Sequence, residues 1–182
     1  MERESVHIRT AEPSDGDTLA GIYNQYVAET VVTFEENPVS GAEMGKRIDA
    51  VCSASLPWLV AEKNASVVGY AYASPWKTRS AYRFSVETTV YIASGHAGCG
   101  IGTMLYSELL ARIEKAGVHA VIGGVALPNE ASVALMQKFG FEKVAHFRQV
   151  GFKLNRWVDV GYWERVLRAS GRTPPAPANA TA

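Results

Sequence analysis

Between residues 95 and 102 the chain reads "GHAGCGIG", with glycine at 95, 98, 100 and 102, and "TMLYSELL" then opens an apolar stripe at helical spacing. Positions without side chains ahead of a helix leave backbone N–H groups uncovered at its positive end, which suits a phosphate group. A nucleoside triphosphate loop needs GxxxxGK followed by Ser or Thr, whereas Gly95 to Gly100 leads into Ile101 and Gly102. A dinucleotide fingerprint counted from Gly98 and Gly100 needs a third glycine where Thr103 stands. What is left is a pyrophosphate cradle, with a flexible connection as the alternative. Upstream, "PWKTRSAYRFSVETTVYI" sets Trp76, Lys77, Arg79 and Tyr82 before a strand that carries a lone acid, Glu87. Arginine can grip a carboxylate with two bonds, and aromatic groups such as Trp76 or Phe34 can pack on a short side chain.

The elements that must position these groups follow from periodicity. "VHIRTA" reads as a strand, and Leu19, Ile22, Tyr23 and Tyr26 then recur at helical spacing. Ser40 with Glu43 three residues on marks the start of a second helix. "WLVAEK" and "VVGYAYAS" are too close for a parallel crossover and predict an antiparallel hairpin. In "FSVETTVYIA", Phe84, Val86, Thr88, Val90 and Ile92 share one face, and Ser85, Glu87, Thr89 and Tyr91 the other. The stripe Ile101, Met104, Leu105, Leu109 and Ile113 predicts a crossover helix closed by Gly117. "VHAVIGGVAL" is a further strand, "NEASVALMQKFG" a short helix, and "EKVAHFRQVGFK" and "RWVDVGYWERVL" two last strands. The order is mixed α/β, with one domain over 1–167 and a disordered tail over 168–182, "RASGRTPPAPANATA".

Lys and Arg number 18, as do Asp and Glu, so no net charge recruits nucleic acid or an anionic membrane. Apolar runs are far shorter than the ~20 residues of a membrane span. The start, "MERESVHIRT", lacks the apolar stretch of a secretory signal, so a cytoplasmic location is expected. Cys52 and Cys99 suggest neither a disulfide framework nor a zinc site, and His7, His96, His119 and His146 lack metal-ligand spacing. No metal is expected.

"VETTVYIASGHAGCGIGTMLYSELL", with "LPNEASVALMQKFGFEKV" downstream, resembles the acetyl-CoA core of the GNAT superfamily of N-acetyltransferases. The resemblance implies the GNAT (acyl-CoA N-acyltransferase) fold, a mixed, mostly antiparallel central sheet flanked by helices. The family loop, (Arg/Gln)-x-x-Gly-x-(Gly/Ala), aligns with residues 97–102, and here Ala97 takes its first position. It implies that Gly98, Cys99, Gly100, Ile101, Gly102 and Thr103 bind acetyl-CoA, together with the strand residues Val90, Tyr91 and Ile92, of which Val90 and Ile92 act through their backbones. Asn129 and Ser132 would meet the pantetheine chain, although Asn129 also suits a helix cap.

"TFEENPVS", "PWKTRSAYRFSVETTVYI", "NEASVALMQKFGF" and "GFKLNRWVDVGYW" are more specifically similar to the phosphinothricin and methionine sulfoximine acetyltransferase branch. That branch implies a homodimer and transfer of acetyl to the α-amino group of a small amino-acid analogue of the phosphinothricin, methionine sulfoximine or methionine sulfone type. Met136 and Gln137 stand where the branch commonly has His and Glu. Within this resemblance Glu87 is the expected base, because an ammonium must lose a proton before its nitrogen attacks a thioester, and a partly apolar setting would raise its pKa. A structural ion pair of Glu87 with Arg83 or Arg79 is the alternative. Phe34, Trp76, Lys77, Arg79 and Tyr82 are the expected acceptor-binding residues. Two further readings stay open: the same fold acting on a protein N-terminus, polyamine or antibiotic, and a non-catalytic acyl-CoA-binding sensor.

Overall fold

The computed structural model describes residues 5–167, so the disorder expected for 168–182 lies outside the described residues. Seven strands form one sheet: β1 (Val6–Thr10), β2 (Trp58–Lys63), β3 (Ser66–Pro75), β4 (Ser85–Ile92), β5 (Ala120–Leu127), β6 (Glu142–Lys153) and β7 (Arg156–Val166). Four α-helices accompany them: α1 (Gly16–Glu29), α2 (Gly41–Ser53), α3 (Ile101–Lys115) and α4 (Glu130–Lys138). Strand order is β1-β2-β3-β4-β5-β7-β6, and every neighbouring pair is antiparallel except β4 with β5. That parallel pair is the one joined through a crossover helix, α3, as parallel pairing requires.

The hairpin turns are tight for a chemical reason. Lys63 pairs with Ser66, and Asn64 and Ala65 between them both have positive φ, the geometry that matches strand twist in a two-residue loop. Ser66 therefore belongs to β3 rather than to the turn. The Ser40 cap forms as expected, its hydroxyl accepting from the Glu43 amide at 3.1 Å.

Central strands are buried on both faces, so alternate residues enter two cores. Leu59, Ala61, Ala71 and Val86 pack with Ile101, Leu105, Leu109 and Ile113 of α3, whereas Trp58, Val60, Tyr70 and Tyr91 pack with Leu19, Ile22 and Tyr23 of α1 and Met44 and Ile48 of α2. One expectation fails here. Met104 is 41% exposed, and Tyr106 and Leu110 complete the buried face of α3 in its place. The turn of helix beyond Ile101 places residue 104 towards solvent, because a stripe on a helix against a flat sheet is narrower than the list of apolar residues. Leu109 is fully buried. Leu109→Ala is expected to lower stability by about 2–5 kcal/mol through loss of transfer energy and a residual cavity, read as a shift of the urea midpoint at unchanged slope.

Candidate active site

The site forms where β4 and β5 part. Their parallel ladder covers Ser85, Val86 and Glu87 against Ala120, Val121 and Ile122, yet β4 continues to Ile92 and β5 to Leu127. Beyond Glu87 the strands diverge and leave a slot of about 90 Å³ lined by Thr88 to Tyr91, Gly124 to Ala126, Asn129, Ser132 and Met136. A buried hydroxyl pair marks the fork: Thr88 Oγ1 lies 2.6 Å from the Tyr106 hydroxyl and 3.3 Å from the Ile122 carbonyl, to which it donates. Met136 floors the slot. Its sulfur accepts from Tyr106 at 3.3 Å and its methyl covers Gly123. The floor is therefore apolar where an imidazole would make it polar.

The slot opens into a cavity of about 470 Å³ whose walls include Val90, Ile92, Gly98, Gly100, Gly102, Thr103, Asn129 and Ser132. Gly100 caps α3 in the left-handed region, φ 81°, and a Cβ there or at Gly98 would meet open space. The bare backbone thus faces the cavity at the helix N-terminus. Cys99 and Ile101 do not join those walls: Cys99 is exposed with its thiol towards the Ala97 carbonyl, and the Ile101 side chain is in the core. Asn129 caps α4, its Oδ1 accepting from the Ser132 amide at 3.1 Å, and lines both spaces at once.

Among the residues of this cavity not expected from the sequence are two polar ones, Lys138 and Tyr26. Lys138 lies in its wall with Nζ 3.5 Å from Thr103 Oγ1, in the first turn of α3. Tyr26 donates to the Ile92 carbonyl at 2.6 Å and accepts from the Ile92 amide at 3.3 Å. The hydroxyl thus takes the backbone groups of Ile92, leaving Val90, two residues back and on the same strand edge by alternation, as the residue facing the slot. Lys138 had only its spacing from Asn129 as a signal, and Tyr26 none, because it comes from a helix 66 residues away.

A second cavity, about 400 Å³, adjoins the other side of the fork and is lined by Trp76, Lys77, Tyr82, Ile122, Phe147 and Tyr162, among others. Of the expected acceptor residues, three are therefore brought together. Arg79 and Phe34 are not: Arg79 is exposed at the head of a short turn, and Phe34 lies over Gly151 of β6. The loop carrying Phe34 is held by the buried Lys153, which donates to the Thr33 carbonyl at 2.9 Å.

Glu87 adjoins Gly124 of the slot and lies under the charge of Lys77 of this cavity. Burial pushes its carboxyl up, against the pull of Lys77 and of the Gly124 amide. An ion pair with Arg83 does not form, because the Arg83 guanidinium donates to the Ser80 carbonyl and lies over the Phe84 ring. Lys77, 4.5 Å over the Trp76 ring, is instead the cation that acts on Glu87. Tyr91 is buried between Tyr23, Tyr26 and Tyr70, and burial holds its phenol well above the ordinary range.

A glycine-lined helix N-terminus, a slot between splayed parallel strands and a half-buried carboxylate at the fork together match a known arrangement. The model of the acetyltransferase (GNAT) domain matches residues 8–161. The chain belongs to the GNAT family of N-acetyltransferases. Among relatives of this GNAT chain, phosphinothricin N-acetyltransferase of Streptomyces viridochromogenes is 37% identical, covering 97% of this chain and 94% of its own. The L-methionine sulfoximine/L-methionine sulfone acetyltransferase of Salmonella typhimurium is 32% identical over 88% of this chain and 94% of its own. A crystal structure of a GNAT superfamily phosphinothricin acetyltransferase from Sinorhizobium meliloti in complex with acetyl-CoA superposes with a TM-score of 0.89 at 35% identity, covering 93% and 92% of the two chains. The sheet with one parallel pair is thus the GNAT fold. Among the described residues no group of three or more His, Cys, Asp or Glu converges as a metal site, and no helix is long and apolar enough to cross a membrane.

Proposed function

We propose that this chain transfers acetyl from acetyl-CoA to the amino group of a small amino-acid analogue of the phosphinothricin, methionine sulfoximine or methionine sulfone type. One observation carries the reading: the Glu87 carboxylate lies beside Gly124 of the slot and under the charge of Lys77, which lines the second cavity with Trp76 and Tyr82. The named substrates of the similar enzymes support the choice of acceptor.

The residues present suit acetyl-CoA. Gly98, Gly100 and Gly102 leave backbone N–H groups for the pyrophosphate, and Lys138 adds the cation that Ala97 cannot. Val90 offers its backbone to the pantetheine arm in the slot, with Asn129 and Ser132 across from it. The cosubstrate supplies an acetyl group activated as a thioester. Glu87 takes the proton of the acceptor ammonium, directly or through water, and its raised carboxyl suits a base near neutral pH. Lys77 faces the acceptor carboxylate, and Trp76 and Tyr82 enclose its side chain. A panel of phosphinothricin, methionine sulfoximine, methionine sulfone, N-terminal peptides and spermidine, followed by CoA release, tests this. Turnover is expected with the amino-acid analogues, and turnover confined to peptides or spermidine would overturn the reading. Binding of acetyl-CoA with no turnover on any acceptor would favour a sensor.

The chain works as a homodimer in this reading, in the cytoplasm. Phe152 and Trp157 of the β6–β7 hairpin are both more than half exposed with their ring centroids 5.0 Å apart, an apolar pair of the kind that a partner subunit covers. Trp157→Glu with Phe152→Glu is expected to halve the mass found by sedimentation equilibrium while the chain stays folded. An unchanged mass would move the interface elsewhere.

A further inference from the structure

The slot and the acceptor cavity come close at one residue pair of the β5–β7 ladder. Gly124 lies in the wall of the slot, and Tyr162, its partner across the β5–β7 ladder, lies in the wall of the cavity. A Cβ on Gly124 would sit 2.9 Å from Oε1 of Glu87 and 3.2 Å from Cε1 of Tyr162. The first distance is shorter than real Cβ contacts, so a side chain at 124 obliges the Glu87 carboxylate, the movable end of its side chain, to shift from where it sits. The carboxylate thus packs against β5 just beyond the point where the ladder ends. Tyr162 is itself braced, edge-on to Trp76 at 5.5 Å and to Phe147 at 5.8 Å between centroids. Burial and the Glu87 charge both push its phenol up, so the hydroxyl stays neutral beside the carboxylate.

We infer that Gly124 and Tyr162 are positioning residues for the acetyl transfer: the bare α-carbon of Gly124 seats the Glu87 carboxylate, and the Tyr162 ring walls that seat from the water of the acceptor cavity. This rests on Glu87 being the base. A side chain at 124 displaces the carboxylate, and removal of the ring admits water to it. Nothing in the seat requires the hydroxyl of Tyr162.

The test measures kcat against pH and acetyl-CoA affinity by calorimetry for Gly124→Ala, Tyr162→Ala and Tyr162→Phe, each alone and combined with Glu87→Gln. A misplacement of ~1 Å can cost on the order of 100-fold, so Gly124→Ala is expected to lower kcat at least roughly tenfold with acetyl-CoA affinity retained. Tyr162→Ala is expected to move the acidic limb of the profile to lower pH, because the carboxyl loses the burial that raises it; Tyr162→Phe leaves the limb in place. On the Glu87→Gln background Gly124→Ala adds no further loss. Loss of turnover in Glu87→Gln beside wild-type kcat in Gly124→Ala, or an unmoved limb in Tyr162→Ala, overturns the seat alone. Full turnover in Glu87→Gln overturns the base assignment and the seat with it. Retained acetyl-CoA affinity separates each of these outcomes from misfolding.

Discussion

Glu87→Gln is expected to lower kcat by on the order of 100- to 10,000-fold, the range that a positioned general base contributes. Acetyl-CoA affinity should stay within about twofold, because the glycine loop and α3 that face the larger cavity are untouched by the change. The amide of glutamine keeps the shape of the side chain, so the loss reports the missing proton acceptor rather than a collapsed fork. The pH dependence has a definite sign. Burial raises the Glu87 carboxyl, so the base is protonated and idle at acid pH, and kcat climbs as pH rises through that raised value. In Glu87→Gln this limb should vanish from the residual activity. A variant that keeps both rate and limb would remove Glu87 from the chemistry and would direct attention to a water held elsewhere in the slot.

The second large effect is expected at Gly100. Its φ of 81° is one that Asn and Asp adopt more readily than other side chains, and a Cβ there meets open space. Gly100→Asn and Gly100→Asp therefore share backbone and steric consequences and differ in charge. A carboxylate ~5 Å from a phosphate opposes it by on the order of 3 kcal/mol at an effective dielectric near 20, less after screening at this exposed position. Gly100→Asp is expected to bind acetyl-CoA roughly tenfold or more weakly than Gly100→Asn, with the gap narrowing as salt is added. Acetyl-pantetheine, which lacks the pyrophosphate, should show no gap. Equal affinities of the two variants for acetyl-CoA would place the phosphates away from this helix terminus. The same titration on Lys138→Ala measures how far that lysine makes good the absence of Arg or Gln at Ala97.

Periodicity sufficed for the elements because each has one buried stripe or one alternating face to satisfy. The α3 stripe through Leu105, Leu109 and Ile113, the alternation of Val86 with Glu87, and the glycine that ends α3 at 117 are all local consequences of burial and φ. Met104 shows the limit of that reasoning, since being apolar at nearly the right angle does not decide which side of a stripe is covered. The glycine loop was legible for a related reason. A run of uncovered amides before a helix has few uses, and its spacing can be compared with each.

What the chain alone determined, then, is local: mixed α/β order, a glycine-rich run at the head of a helix at 98–102, and one acid on the strand before it. The resemblance of its motifs to GNAT enzymes added the likeness to a chemistry, and the comparisons made that membership plain. Tertiary structure decided the rest. The point at which β4 leaves β5 depends on partners from four elements, with Thr88, Tyr106, Ile122 and Met136 meeting across long stretches of chain. The choice of Lys77 over Arg79 or Arg83 as the cation near Glu87 depends on which way a loop folds back over Trp76. Gly124 and Tyr162 entered the site only because β7 pairs beside β5, an adjacency that no spacing along the sequence encodes. Charge interactions and desolvation act through space over a few ångströms, whereas sequence patterns register only neighbours along a strand or helix. The acid could be found by reading along the chain; its seat could be found only by looking across it.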